Sequence, residues 1–333
     1  MPRPLRFALV GAGAIAQTWA QAFRLADGVD LVAVVDVRRE LADLLAEQTG
    51  SRACGSVDEL LAGNGVDAAV VCTPPASHPE VAVSLVDHGV AVLCEKPLAV
   101  DLVGARKLLA AAEAQDVILT MASKFRFVED LVRARSLVAS GILGEIVQYR
   151  NTFASRVDMR SRWNGDPAVS GGGVIIDNGT HSVDIARYLL GPVTEVLAVE
   201  SRRVQGLPVE DTATLLLRTE CGAVGTIELS WAIDKQRDDY VEVDGTEGVL
   251  RVGWRASAFR RHASPTWVDF GNGYDKVVAH ARQLESFAGA VRGVGDLLIT
   301  PEDALASVAV VEAAYRSMES RRWVAVGSVD PAA

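Results

Sequence analysis

The stretch Phe7-Ala-Leu-Val-Gly11-Ala-Gly13-Ala-Ile-Ala16 carries the first decision about this chain. Four apolar residues read as a buried strand, and the glycine loop that follows leads into the amphipathic run Ile15–Leu25. Gly11 permits a tight turn, Gly13 lets the backbone approach a pyrophosphate, and Ala16 stands where helix and strand pack closely. The free N–H groups and positive end of the helix would hold the phosphates. A lone G-x-G-x-x-A is weak evidence, but Asp36 ends the next apolar run, Leu31–Asp36, 20 residues after Ala16. That is the spacing of a carboxylate that meets the adenosine ribose in a dinucleotide-binding fold. A carboxylate there repels a 2′-phosphate and favours NAD, while Arg38 and Arg39 leave NADP open or simply begin a solvated helix.

Outward from this loop, short apolar runs alternate with helical ones as far as residue 123. Arg6–Val10, Leu31–Asp36, Ala68–Cys72, Ala91–Cys94 and Val117–Met121 read as strands. Glu40–Gln48, Pro79–Asp87 and Leu102–Ala114 read as helices, the last with Asp101 as its N-cap. Strands without strict alternation, each followed by a helix, predict a doubly wound parallel sheet, an α/β Rossmann domain over 1–123. From 124 the rhythm changes. A helix near Val128–Ser140 is followed by long alternating stretches at Glu145–Phe153, Val193–Val204, Thr212–Thr219 and Ala223–Ala232. Tyr240–Asp244 and Gly248–Val252 read as a hairpin, and a helix near Glu302–Glu319 and a strand Trp323–Val326 close the chain. Residues 124–333 are therefore expected to form an α+β domain with a large, open, mostly antiparallel sheet.

The chain has 333 residues, which suits two domains, and its net charge of −10 argues against nucleic acid or an anionic membrane as partner. Cys54, Cys72, Cys94 and Cys221 are widely spaced and read as free thiols, which implies a reducing compartment. No stretch is long and apolar enough for a signal core or a membrane span, so a cytoplasmic location is expected.

Two further segments carry chemistry. Glu95-Lys96-Pro97 ends an apolar strand, at the edge where open α/β sheets place their ligands. An ammonium there can polarise a reacting oxygen; the plain alternative is a surface lysine. In Gly171-Gly-Gly173-Val-Ile-Ile-Asp177-Asn-Gly-Thr-His181, Asp177 and His181 are four apart and share a face if the segment is helical. Histidine titrates where a hydroxyl proton is moved, and the carboxylate can orient it. The acid partner and the flexible triple-glycine entry favour that role; the alternative is a satisfied core histidine. No further His or Cys lies close by, so no metal site is expected. His78, after Cys72-Thr73-Pro74, either lines the cofactor pocket or starts a helix. The loop Arg156–Arg162, followed by Trp163, either covers a substrate or is solvated.

Taken together, GAGAIA, CTPPASH, CEKPL and GGGVIIDNGTH resemble, in order and over essentially the whole chain, the Gfo/Idh/MocA oxidoreductases, the glucose–fructose oxidoreductase and inositol dehydrogenase group. The resemblance implies that Lys96, Asp177 and His181 are the catalytic lysine, aspartate and histidine. The expected cofactor set is Gly11, Ala12, Gly13, Ala14, Ile15, Asp36, Val37, Arg38, Cys72, Thr73, Pro74, His78, Glu95 and Lys96. The resemblance also sets Lys124, Phe125, Arg126, Phe153 and Ser155 near the substrate, with Trp163 as a further wall. Lys124 departs from the family's usual residue, so specificity does not carry over. It implies hydride transfer between NAD and a secondary alcohol of a sugar or cyclitol, in a homodimer or homotetramer built on the second-domain sheet. Two rivals remain: an NADP-dependent ketoreductase on a nucleotide-linked sugar, and a non-catalytic cofactor-binding regulator.

Overall fold

The computed structural model describes residues 3–63 and 65–327; Met1, Pro2, Asn64 and 328–333 lie outside it. The chain divides into two compact units. The first runs to Lys124 and takes up Lys276–Leu305 as well; the second holds Phe125–Asp275 and, of the described residues that follow, 306–327.

In the first unit, strands and helices alternate: β1 (Leu5–Val10), α1 (Ala14–Phe23), β2 (Val29–Val35), α2 (Arg39–Thr49), β3 (Arg52–Cys54), α3 (Val57–Ala62), β4 (Ala68–Val71), α4 (His78–Val86), β5 (Ala91–Glu95), α5 (Leu102–Ala114) and β6 (Leu119–Ala122). The six strands are all parallel, in the order β3-β2-β1-β4-β5-β6. That is the doubly wound dinucleotide-binding order, with its switch point between β1 and β4. β1, β4 and β5 are buried on both faces, which is why they read as continuous apolar runs. Asp101 caps α5 by accepting from Gly104 N at 2.7 Å. The short β3 and α3 were not expected, although Ser56-Val-Asp-Glu59 is a start signal: Ser56 Oγ accepts from Glu59 N, and Glu59 Oε2 accepts from Gly55 N.

The second unit contains α6 (Glu129–Ala139), β7 (Ile146–Ala154), α7 (Pro167–Ser170), a π-helical turn (Ile175–Gly179) running directly into α8 (Thr180–Leu190), then β8 (Val193–Glu200), β9 (Thr212–Thr219), β10 (Val224–Ser230), β11 (Asp239–Gly245), β12 (Gly248–Gly253), β13 (Ser257–Arg261) and β14 (Val268–Gly271). Next come α9 (Lys276–Val291), α10 (Pro301–Ser320) and β15 (Val324–Ala325). The sheet order is β14-β13-β12-β11-β7-β10-β9-β8-β15. β7 and β10 pair in parallel and the other pairs are antiparallel.

Two differences from the sequence reading matter. Residues 276–305 were expected in the second domain, yet α9 packs on α1 in the first. Its Ala281, Leu284, Phe287 and Ala288 join Phe7, Trp19 and Phe23 in one apolar cluster, with Phe7 and Phe287 rings 6.2 Å apart. The other concerns Leu215-Leu216-Leu217, three consecutive apolar residues within the stretch read as alternating. In the strand Leu215 and Leu217 are fully buried, and only Leu216 faces the other way. Cross-strand register places Leu216 in one row with Leu197, Thr226, Arg150, Glu242 and Arg251. The outer face is thus mixed, and Glu242 pairs there with both Arg150 and Arg251.

Candidate active site

In the first unit the predicted cofactor residues gather at the carboxyl edge of the sheet, following β1, β2, β4 and β5. Gly11 has φ +96°, and a Cβ on it would lie 2.8–2.9 Å from the backbone of Cys72 and Thr73, so the turn after β1 excludes every other residue. A Cβ on Gly13 would meet nothing within 4 Å. Gly13 is also the N-cap of α1, which has no side-chain cap and no acidic residue in its first turn. Open space beside uncapped N–H groups fits an anionic pyrophosphate. Asp36, 9% exposed, accepts from Ala12 N at 2.8 Å through Oδ2 and from Arg38 N at 2.8 Å through Oδ1. The Arg38 guanidinium lies 3.6 Å from the same carboxylate, and Val37 beside it is 91% exposed.

His78 is fully buried, with Nδ1 2.9 Å from Pro97 O and Nε2 2.8 Å from Thr73 O. It fastens the loop after β4 to the loop after β5, and burial pulls its imidazolium below the ordinary value. The Lys96–Pro97 peptide is cis. Lys96 is half-buried. Its backbone N–H donates to Glu95 Oε2 at 3.1 Å, while Glu95 Oε1 accepts from Trp19 Nε1 at 2.9 Å. Glu95 therefore ties the strand end that carries Lys96 to α1. His280 of α9 stands edge-on to Trp19 at 4.4 Å, with its Nε2 3.9 Å from Glu95 Oε1. Burial holds its pKa down to about 4, so it is neutral at pH 7 and its Nδ1–H donates to Lys276 O at 2.7 Å. Trp19 and His280 were missed because their partners lie far along the chain. Lys124, half-buried, is also part of this unit. Among the cysteines, Cys54, Cys72 and Cys94 are free and buried, and burial pushes the Cys72 and Cys94 thiols well up.

In the second unit Asp177 lies in the π turn, half-buried, and His181 is the second residue of α8, 7% exposed. Turns of this kind occur often at functional sites. The Phe125 ring stands edge-on to His181 at 5.1 Å, and Phe153 stacks on Phe125 at 5.2 Å. Tyr240, Trp254 and Tyr274 extend this aromatic wall, and Trp254 is 38% exposed. Their sequence separation hid them. Arg126, expected near the substrate, is 4% exposed and forms a bidentate pair with Asp184, with contacts of 2.7–3.1 Å. Its guanidinium satisfies a carboxylate of α8 in the interior. Ser155, Arg156, Arg162 and Trp163 are exposed. Arg160 is held by Asp158 at 2.7 and 2.9 Å, and this guanidinium lowers the Asp158 carboxyl to about 2.

The triple glycine is not a flexible entry. A Cβ on Gly172 would stand 2.0 Å from Tyr315 Oη, and one on Gly173 2.0 Å from Glu210 O. Glu210, 3% exposed, and Tyr315 lie against the segment that leads to Asp177; neither had a local signal in the sequence. Burial raises the Glu210 carboxyl, and its hydrogen bonds oppose that rise.

Comparison with known proteins follows the same division. Residues 5–123 match the model of an oxidoreductase family with an NAD-binding Rossmann fold, and residues 131–251 match a GFO/IDH/MocA C-terminal domain. The chain is 28% identical to a D-apiose dehydrogenase of Paraburkholderia graminis, over 97% of this chain and 90% of that one. It is 27% identical to an inositol 2-dehydrogenase of Rhizobium meliloti, over 97% and 99%. Among solved structures, that of GenD2 from gentamicin A biosynthesis in complex with NAD superposes with a TM-score of 0.86 at 30% identity, covering 98% of both chains.

Proposed function

The chain belongs to the Gfo/Idh/MocA oxidoreductase family, and on that premise we propose that it oxidises a secondary alcohol of a sugar or cyclitol with NAD. The observation that carries the reading is Asp177 and His181 on one helical segment, within the residues that match the family's C-terminal domain. His181 takes the hydroxyl proton as general base and returns it in the reductive direction, and Asp177 orients it and grips a substrate hydroxyl. Lys96, on the strand end held by Glu95, stabilises the developing alkoxide. Gly11, Gly13 and the first turn of α1 hold the pyrophosphate, and Asp36 meets the adenosine ribose. When bound, the nicotinamide supplies the two-electron acceptor.

The relatives' names, apiose and inositol dehydrogenase, support a free molecule with many hydroxyls. A nucleotide-linked substrate needs a diphosphate grip, and in the arginine-bearing loop 156–162 Arg160 is engaged by Asp158. A spectrophotometric screen of cyclitols, pentoses and nucleotide sugars with NAD and NADP in parallel tests the substrate. His181→Ala should lower kcat by roughly 10²–10⁴-fold with NAD still bound; near-normal turnover would remove His181 from the mechanism. Activity confined to nucleotide sugars would favour the rival.

The enzyme is further proposed to be cytoplasmic, in keeping with its free buried thiols, and to be a homo-oligomer. No helix among the described residues is long and apolar enough to cross a membrane. Leu197, Leu216 and the exposed Val199 and Val224 lie on the outer face of the second-unit sheet, a surface a symmetric partner would cover. Light scattering at micromolar concentration should give a dimer or tetramer, and a monomer would sink this.

A further inference from the structure

We propose that Glu210 and Tyr315 are positioning residues for the Asp177–His181 pair, clamping the start of its helical segment from two distant parts of the chain. The inference rests on the role of His181 argued above.

A helix start leaves its first N–H groups without intrahelical partners, and a side chain at the N-cap ordinarily takes one of them. This segment has no such cap of its own. One residue does the work instead. Ile175 N donates to Glu210 Oε1 at 2.9 Å, and Gly173 N donates to Oε1 at 3.1 Å and Oε2 at 3.2 Å. Between them Val174 N donates to Glu210 O at 2.9 Å. Tyr315 completes the clamp: its hydroxyl donates to Glu210 Oε1 at 2.8 Å and stands 3.2 Å from Gly173 N. The carboxylate thus lies at the positive end of the segment, where the peptide dipoles favour it.

The clamp acts on the reacting groups through two links. Asp177 N donates to Gly173 O at 3.1 Å, so the clamped glycine is bonded directly to the residue that bears the carboxylate. The turn from Ile175 to Gly179 is π-helical, which hydrogen-bonds less favourably than an α-helix and persists where its surroundings hold it. Slipping from the π turn into a regular α-helix would change how far Asp177 is rotated relative to His181, because the two windings differ in residues per turn. Clamping the first turn prevents that slip. The glycines fit the same account, because a side chain at 172 or 173 would displace Tyr315 or Glu210.

The test uses the full-length protein. The chain has five histidines, so His181 can be followed by its ring signal in NMR spectra, assigned by its loss in His181→Ala. Glu210→Gln and the milder Tyr315→Phe should shift that signal and its titration midpoint, and leave the signals of His78 and His280 in place. On the substrate found in the screen, Glu210→Gln should lower kcat by about 10- to 100-fold, the scale of a misplacement of order 1 Å, with KM for NAD unchanged. Tyr315→Phe should do the same to a smaller degree. Ser317→Ala is the control: it removes the bond from Ala198 N to Ser317 Oγ on the same helix without touching the glycines, and should leave both readouts as in wild type. The proposal is overturned if the His181 signal titrates as in wild type in both clamp variants, or if Ser317→Ala moves it equally. The ring signals need no turnover, so this arm stays decisive even if no sugar or cyclitol is oxidised.

Discussion

The loop at Gly11–Gly13 and the loop at Gly171–Gly173 are both glycine clusters that lead into a helix carrying proposed function, and they use glycine for opposite reasons. In the first, Gly11 makes a left-handed turn against the Cys72 backbone, and Gly13 leaves empty space beside uncapped N–H groups. That space suits a ligand. In the second, the space is filled by the protein itself, with Tyr315 Oη and Glu210 O at 2.0 Å from where Cβ atoms would stand. The first cluster makes room for an anion from solution; the second admits a buried carboxylate of the same chain to an equivalent helix end.

Alanine substitution separates the two. Gly173→Ala drives a Cβ into the Glu210 backbone, which cannot swing aside as a flexible side chain would. It should cost about 3 kcal/mol or more, the upper range for forced overpacking. Calorimetry should show a large fall in the melting temperature, and a wild-type melting curve would refute the close-approach account.

Acid should separate the two units next. His280, held at about 4 against an ordinary 6.5, and His78, also pulled down by burial, are both in the first unit. Below pH 6.5 the unfolded chain binds protons that these folded groups refuse, so their stability is lost as pH falls from 6.5 towards 4. For His280 alone the loss is about 2 kcal/mol at pH 5. Glu210, raised by burial in the second unit, works in the other direction, because its folded form takes up a proton before the unfolded one. Hydrogen exchange, corrected for intrinsic rates, should therefore show first-unit protection falling between pH 7 and pH 5, and less so in His280→Gln. Equal protection at both pH values would contradict the buried neutral imidazole.

The smallest effect on stability is expected at Gly13. Its backbone is extended, at φ −74° and ψ −167°, and nothing stands where a Cβ would go. Gly13→Ala should leave the melting temperature close to wild type while weakening NAD binding about tenfold or more, since the methyl group would occupy the space for the pyrophosphate. Unchanged NAD affinity by calorimetric titration would end the reading of this loop as the phosphate site.

Much of the architecture was legible because its signals are local. The α/β alternation, the turn at Gly11, Asp36 after the second strand and the Asp101 cap each depend on residues a few positions apart, or on a fixed spacing within one βαβ unit. The hairpin at Asp244–Gly248 was equally plain. What escaped was decided at a distance. The 276–291 stretch has helical periodicity, yet only the packing of Phe287 near Phe7 shows that it returns to the first unit. Arg126, expected near the substrate, pairs with Asp184, 58 residues on, a partner that no local signal announces.

The motifs by themselves determined a dinucleotide-binding fold and named its first loop as the candidate phosphate site and Lys96, Asp177 and His181 as candidate catalytic residues, because backbone turns and i, i+4 spacing are written in neighbouring residues. Only the tertiary structure decided why Gly172 and Gly173 precede Asp177. The atoms that require them belong to Glu210 and Tyr315, 37 and 142 residues beyond Gly173. A steric demand made across that distance leaves a glycine in the sequence but no trace of its cause.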